Sequence, residues 1–453
     1  MCSLVQKYNV PGPRYTSYPT VPFWDISTFS GKKWEETVKK SFHLSNSSTG
    51  ISIYIHLPFC ESMCTFCGCH KRITKRHDLE LPYIKSVLKE WGLYRNLFDE
   101  KPIIKELHLG GGTPTFFTPE NLKFLIEGIL RIATKADDAE FSFEGHPNNT
   151  TKEHLQALYD VGFRRVSFGV QDYNETVQKA INRIQPFENV KNVTEWSREI
   201  GYDSISHDII FGLPHQKLEH VINTIEKTKE LKPDRIAFYS YAHVPWLAGN
   251  GQRGYNDADL PAGEEKRTQY EVGKELLLEY GYHEIGMDHF ALESDCLFKA
   301  MENGTLHRNF MGYTSSNTHL MVGLGASSIS DSWYGFAQNV KNVEEYQNLV
   351  TNDIIPLYRG HILTEEDQII RRHILNLMCQ FQTSWSVFKL HLPQLDSILN
   401  RLKELERDGI VVITEGNLRI TEKGRPFVRN VCMAFDLPLQ DKSPNTKLFS
   451  MTV

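Results

Sequence analysis

No run of eighteen apolar residues occurs in this 453-residue chain, and its opening, MCSLVQKYNVPGPRY, has no apolar stretch of the kind a secretory signal carries. Neither a membrane span nor a signal is expected, which leads to the expectation of a cytoplasmic protein with no membrane partner. Cysteine is scarce, eight in all, and in that compartment those eight should be reduced unless they hold metal. Charge excess is small: a net −6 speaks against a nucleic-acid partner. The chain is too long for one small core, and 40% hydrophobic with 23% charged residues is ordinary globular composition. One large domain with an appendage is expected.

Half of the cysteines fall in one stretch, Ile51 to His70, ISIYIHLPFCESMCTFCGCH. Cys60, Cys64 and Cys67 have the spacing C-x3-C-x2-C, which lets one loop wrap a small inorganic cluster. Three thiolates on a four-iron cubane leave one iron open to a small molecule. Cys69 follows Cys67 by two, as a fourth ligand or as a thiol lining the site. A zinc knuckle of Cys60, Cys64, Cys67 and Cys69 or His70 explains the spacing equally well.

The rest of the chain has a clear order. Tyr8 to Phe23, YNVPGPRYTSYPTVPF, is too rich in proline for a helix and reads as an ordered extended arm, with Arg14, Tyr15 and Tyr18 as a strap over a site. From Ile51 to about Ser330, strand and helix patterns alternate. Strands are expected at Ile51–Leu57, Glu106–Gly110, Glu140–Glu144, Arg165–Gln171, Ser204–Phe211, Arg235–Ala242 and His283–Asp288, with helices such as Pro82–Phe98 and Pro119–Thr134. That alternation predicts an α/β fold, a full or partial (β/α) barrel, with its site at the strands' C-terminal ends. The cysteine loop, the run Gly110-Gly111-Gly112-Thr113-Pro114-Thr115, Glu144 and Gln171 all fall there, with Asp208 on the fifth strand. In the first strand Ser52, Tyr54 and His56 alternate with isoleucines, and Ser142 with Glu144 repeats the pattern, so the interior should be polar. Past Pro356, helices at Leu363–Cys379, Leu395–Arg407 and Lys423–Phe435 flank a hairpin at Glu415-Gly416-Asn417, a winged-helix pattern. Its helix Leu395 to Asp408 is net acidic, which argues against DNA contact. The domains expected are 1–47, an arm and lead-in helix; 48–360, the barrel; and 361–453, a winged-helix-like covering domain.

Together, CESMCTFCGC, GGGTPT, SFGVQD, DIIFGLP, YAHVP, IGMDHFA, HRNFMGYT and PGPRYTSYPT resemble the oxygen-independent coproporphyrinogen III oxidases (dehydrogenases), radical S-adenosylmethionine (SAM) enzymes of haem biosynthesis. The resemblance runs along nearly the whole chain. It implies that Cys60, Cys64 and Cys67 ligate a 4Fe-4S cluster whose open iron chelates a first SAM, with Tyr54, Gly111, Glu144 and Ile329 beside it. It implies a second SAM at Phe66, Gly112, Thr113, Gln171, Arg183, Asp208 and Ala242, and gives Tyr54 and Cys69 a part in the chemistry. Arg183 is expected on a helix.

The reaction so implied converts two propionates of coproporphyrinogen III to vinyl groups, giving protoporphyrinogen IX, through a 5′-deoxyadenosyl radical. Partners implied are an electron donor such as flavodoxin or ferredoxin and a final acceptor that the residues do not reveal; a monomer is expected. Lys71, Arg72, Lys75 and Arg76 form a basic patch suited to an acidic donor. Two departures from the family pattern, Leu109 before the glycines and Gly145-His146 after Glu144, bear on the adenine and methionine pockets. A related haem chaperone, which binds haem without decarboxylating anything, is the alternative reading, although its relatives typically lack the arm and Cys69.

Overall fold

The computed structural model describes residues 3–246, 251–252, 254–386, 392–441 and 448–452. A lead-in helix α1 (Gly31–Ser45) precedes an alternating series: β1 (Ile51–Leu57), α2 (Glu80–Arg95), β2 (Ile103–Gly111), α3 (Pro119–Arg131), β3 (Thr134–Gly145), α4 (Lys152–Asp160), β4 (Arg165–Gln171), α5 (Phe187–Ile200), β5 (Ser204–Phe211), α6 (Leu218–Leu231), β6 (Arg235–Ser240) and α7 (Gly263–Glu279). Helix α3 shows why these segments form as they do. Thr118 caps it, Pro119 opens it, and Leu122, Leu125, Ile126 and Ile129 recur at helical spacing and are fully buried against the sheet.

The strands β1 to β6 are parallel neighbours in that order. Short strands extend both ends: the antiparallel β7 (His283–Ile285) and β8 (His289–Ala291) at one, and at the other β9 (Met321–Leu324), followed by the antiparallel β10 (Ile329–Asp331), β11 (Gly335–Asn339) and β12 (Leu357–Ile362). The order is β12-β11-β10-β9-β1-β2-β3-β4-β5-β6-β8-β7, and β9 also runs parallel to β1. The sheet does not close among the described residues, so of the two expected forms it is the partial barrel.

The single strand expected at His283–Asp288 is a correction. Gly286 takes φ +61° and turns the chain, so β7 and β8 form an antiparallel hairpin. The strand expected to reach Ala242 ends at Ser240.

The C-terminal unit holds α8 (Glu365–Gln380), β13 (Gln382–Ser384), α9 (Leu395–Arg407), the hairpin β14 (Val411–Thr414) and β15 (Asn417–Ile420), and α10 (Val428–Phe435). Its three strands pair in the order β13-β15-β14, a winged-helix arrangement. The helix expected from Lys423 is a 3-10 turn through Phe427, because Pro426 has no N–H to donate, and becomes α-helical from Val428.

The arm is ordered and mostly extended, although Leu4–Tyr8 is a short helix capped by Ser3. Its tyrosines are not a strap. Tyr8, Tyr15 and Tyr18 are buried in the core of the C-terminal unit with Ile374, Leu377, Val431 and Phe435, and the Tyr15 hydroxyl donates to Asp436 at 3.0 Å. Burying three large rings there gains more than displaying them over a cavity.

Candidate active site

The cysteine loop is fastened at both ends. Phe59–Cys60 pairs with Arg72–Ile73, Arg72 N donating to Pro58 O at 2.7 Å and Thr74 N to Cys60 O at 2.8 Å. Between them, Lys71 Nζ donates to Cys67 O at 3.1 Å, Thr65 N to Ile181 O at 2.9 Å, and Asn182 Nδ2 to Met63 O at 2.7 Å. The loop is therefore held over the C-terminal edge of the sheet.

The glycine run carries the loop's inner wall. Gly112 N donates to Leu57 O at 2.8 Å and Thr113 N to Phe59 O at 3.0 Å. Gly111 has φ +114°, and a Cβ there would lie 2.8 Å from the His56 ring; a Cβ on Gly112 would lie 2.7 Å from the Pro58 carbonyl. Only glycine fits either place.

Cys60, Cys64 and Cys67 line one cavity of about 360 Å³, with Phe66, Lys71 and Arg183. A second cavity of about 260 Å³ adjoins it and shares Phe66, Cys67, Gly112, Thr113, His146 and Arg183. Cys69, Gly111, Glu144, Gln171 and Asp208 complete the second. The structure thus brings together ten of the anticipated residues in the second cavity alone, on strands β2 to β5 and on the loops after β1, β2 and β4. Gln171 ends β4 with φ +66°. Arg183 is not on a helix: it follows the short helix Glu175–Ala180 in a turn, and its Nη2 donates to Gly169 O at 2.7 Å.

Three anticipated residues stand apart from these walls. Ala242 lies past β6, its carbonyl accepting from Gln252, whose Nε2 also donates to Phe66 O at 3.1 Å. Ile329 lines a separate hollow of about 20 Å³ with Thr16, Trp24, Phe310 and Phe336. Tyr54 is buried beside Glu144, as both lie 3.1 Å from a Cβ placed on Gly110.

The electrostatics are those of a buried polar site. Asp208 accepts from Ser167 Oγ at 2.8 Å, and burial pushes its carboxyl up to about 7. Tyr54 OH donates to His56 Nδ1 at 3.0 Å while His56 Nε2 donates to His70 O at 3.0 Å; burial holds this imidazole neutral, down to about 4. Burial raises the Cys60 thiol to about 11, although Thr113 Oγ1 donates to its sulfur at 3.3 Å. Cys67 moves the other way, to about 6, chiefly through a hydrogen bond from Cys69 and then through Lys71 and Arg183. His146 was not anticipated as a site residue, although the glycine-histidine departure after Glu144 pointed at it; it lines both cavities and burial holds it near 3. Leu109, the other departure, is fully buried and takes no part in either cavity.

The interior below the site is polar as anticipated. A cavity of about 110 Å³ is lined by Glu106, His108, Ser142, Arg165, Ser167 and Arg235 among others. His108 Nε2 stands 3.5 Å from Glu144 Oε1.

This donor set fits a cluster with a nucleoside cofactor. Three thiols face one hollow with Lys71, Lys75 and Arg183 on its walls, and that cavity of about 360 Å³ has the scale of a small-molecule site, roughly 300–1,000 Å³, with the adjoining one of about 260 Å³ just below it. The buried Arg183 Nε, which has no hydrogen-bond partner, awaits an acceptor.

Fold and site together define a radical SAM protein: the radical SAM superfamily profile matches residues 54–228, and that of the HemN C-terminal domain matches residues 363–427. Membership brings a 4Fe-4S cluster and SAM as cofactors. The chain is 38% identical to the oxygen-independent coproporphyrinogen III oxidase of Synechocystis sp., covering 99% of this chain and 97% of that one. It is 36% identical to the enzyme of that name from Helicobacter pylori, over 99% and 98%. The solved coproporphyrinogen III oxidase of Escherichia coli superposes with a TM-score of 0.87 at 35% identity, over 94% of this chain and 97% of that one. The chain belongs to the oxygen-independent coproporphyrinogen III oxidase family.

Proposed function

We propose that this protein decarboxylates two propionate side chains of coproporphyrinogen III without oxygen, giving the two vinyl groups of protoporphyrinogen IX. The observation that carries this reading is the convergence of the three cysteines, the glycine run, Glu144, Gln171, Arg183 and Asp208 on two adjoining cavities, in a chain whose full-length relatives bear that enzyme's name. The same relatives favour an enzyme over a haem chaperone. When bound, the reduced cluster and SAM supply the 5′-deoxyadenosyl radical that abstracts hydrogen from the propionate.

The chain's own part is binding, orientation and exclusion of water. Cys60, Cys64 and Cys67 would hold the cluster, and the pinned loop keeps them in register. Tyr54, Gly111, Glu144 and Ile329 position a first SAM; Phe66, Gly112, Thr113, Gln171, Arg183, Asp208 and Ala242 position a second. Arg183 suits a methionyl carboxylate, while Asp208 suits ribose hydroxyls or a cationic sulfur. Cys69 is exposed and lines the second cavity, where its thiol can contact the substrate, while the one electron left after CO2 departs passes to a separate acceptor.

Electrons enter from an acidic carrier of the flavodoxin or ferredoxin class at the rim of the cysteine cavity, where Lys75 is exposed. The decisive experiment is anaerobic turnover of coproporphyrinogen III with SAM and a reductant. Protoporphyrinogen with 5′-deoxyadenosine is the expected product pair. A protein carrying its cluster that cleaves SAM but leaves all four propionates intact would defeat the reading.

A further inference from the structure

Strand alternation gives β6 two different faces. Ala237 and Tyr239 line the polar interior, while Phe238 and Ser240 face the other way, where a separate cavity of about 60 Å³ opens. Three parts of the chain meet there: Arg14 from the arm, Lys266 and Arg267 from the first turn of α7, and Arg425 and Arg429 from the C-terminal unit.

Five cations thus face two carboxylates, Glu284 and Asp288, and both carboxylates are engaged. Glu284 pairs with Lys274 at 2.6 Å and accepts from Tyr270 OH at 2.7 Å, with Arg425 at 3.5 Å; Asp288 pairs with His289 at 2.7 Å. Arg267 pairs with Glu271, and Arg425 also with Glu422 at 2.9 Å. The other three cations differ. Arg14 donates to Ser240 O at 2.7 Å, Lys266 to Tyr241 O at 3.1 Å, and Arg429 to the carbonyls of Gly12, Pro13 and Met451. Among the described residues none of these three has a carboxylate within ion-pair distance.

Arg429 is buried and Arg14 and Lys266 half-buried, and Asp288 is the one carboxylate of the cavity whose charge bears on Arg14 and Arg429, so positive charge is in excess here and is costly unless something neutralises it. Burial and repulsion from Arg14 and Arg429 push the Lys266 ammonium down to about 7, and burial with Arg14 holds Arg429 down to about 9. The cavity has room for about four waters, or for one small oxyanion.

We propose that this cavity binds a small oxyanion, a phosphate or carboxylate group, between Arg14, Lys266 and Arg429, and that the bound anion fastens the arm and the C-terminal unit to the sheet. The donors suit it: two guanidinium groups and an ammonium converge from the arm, α7 and the C-terminal unit, and the arm has no ion pair of its own at this point, where Glu284 already links α7 to Arg425. The oxyanion can come from free phosphate or from a carboxylate of the bound tetrapyrrole, and the second source rests on the activity proposed above.

The test is thermal unfolding of the full-length, cluster-loaded protein under anaerobic conditions, with limited proteolysis of the arm as a second readout. Inorganic phosphate is compared with chloride at matched ionic strength, and coproporphyrin III with its tetramethyl ester. Saturating phosphate should raise Tm by roughly 2–5 °C and slow cleavage of the arm, and Lys266→Met should lose most of both effects. Lys266 makes one hydrogen bond, so this variant is expected to fold; Arg14→Gln provides a second. A response to coproporphyrin III, but not to its ester or to phosphate, that requires Lys266 assigns the oxyanion to a tetrapyrrole carboxylate. A phosphate response independent of turnover stands even if the proposed activity fails. Equal shifts in the parent and both variants, or no shift with any probe, would overturn the proposal.

Discussion

At the scale of single residues, the cysteines divide by position. Cys60, Cys64 and Cys67 share one cavity, whereas Cys69 lines only the adjoining one. Alanine at any of the first three should therefore abolish iron and sulfide incorporation. Cys69→Ala should keep the cluster while turnover falls by orders of magnitude, and iron loss in that variant would make Cys69 a ligand. Asp208 offers a pH signature. Burial raises its carboxyl to about 7, so the carboxylate forms only as pH rises through that value. A carboxylate attracts the cationic sulfur and accepts from ribose hydroxyls, so SAM affinity should strengthen from pH 6 to pH 8. In Asp208→Asn the dependence should flatten and affinity at pH 8 drop about 10-fold, in line with a charge-assisted hydrogen bond of about 1.5–3 kcal/mol. Equilibrium binding of SAM at the two pH values checks this, and an unchanged profile would remove Asp208 from the site.

At the scale of elements, α2 is tied to the far side of the sheet by one buried acid. Glu90 is fully buried and accepts from Tyr346 OH at 2.6 Å, Asn339 Nδ2 at 2.6 Å and Gly325 N at 2.8 Å. Burial outweighs those donors and lifts its pKa to about 7. A raised folded-state pKa means that the folded form holds the proton more tightly than the unfolded one. The resulting stability is complete below about 4.5 and is lost as pH rises through about 7, a change on the order of 3 kcal/mol. Glu90→Gln should erase that slope, while a Gln amide facing three donors should cost about 1–3 kcal/mol throughout; denaturant unfolding at pH 5 and pH 8 measures both. The parallel strands around α2 were legible because apolar residues alternate with polar ones and lead into a polar or glycine-rich end, as in Ile51–Leu57 before the cysteine loop and Glu106–Leu109 before Gly110–Thr115. The cysteine site was legible for a similar reason, its ligands being contiguous. What escaped the pattern was short or non-local. Met321–Leu324, Ile329–Asp331 and Gly335–Asn339 hold three to five residues each, too few to show a period, and their place is set by pairing with β1 and with one another. Arg183 depends on a turn, and His146 is a site residue only because the chain after β3 folds back against Arg183.

At the scale of the whole molecule, the basic patch after the cluster loop is partly spent inward. Lys71 holds the loop's carbonyls, Arg72 pairs with Glu344 and Arg76 with Asp78 at 2.6 Å, leaving exposed Lys75 at the cavity rim. Lys75→Glu should slow reduction by flavodoxin several-fold at low salt, fade at high salt, and leave dithionite-driven turnover alone; equal flavodoxin rates at low salt would place the donor elsewhere. The arm joins distant parts more firmly. Tyr8, Tyr15 and Tyr18 belong to the core of the C-terminal unit, Arg429 grips Gly12 and Pro13, and Val10 and Gly12 bond to the chain end at Thr452 and Ser450. The main core around β1 to β5 draws none of its buried residues from the arm. Deleting residues 1–20 should therefore leave the sheet and its cluster intact but strip the C-terminal unit, at about 3–5 kcal/mol for each buried aromatic lost. Two outcomes should appear together: rapid proteolysis beyond Pro356, and SAM cleavage that continues while vinyl formation collapses, because nothing then covers the substrate. Arg14→Ala, which keeps all three rings, should leave proteolysis nearly unchanged and raise 5′-deoxyadenosine per vinyl group only modestly. The pair of readouts separates the arm's structural share from its share in coupling: a truncated protein that resists protease and keeps the parental ratio would show that the buried tyrosines contribute to neither.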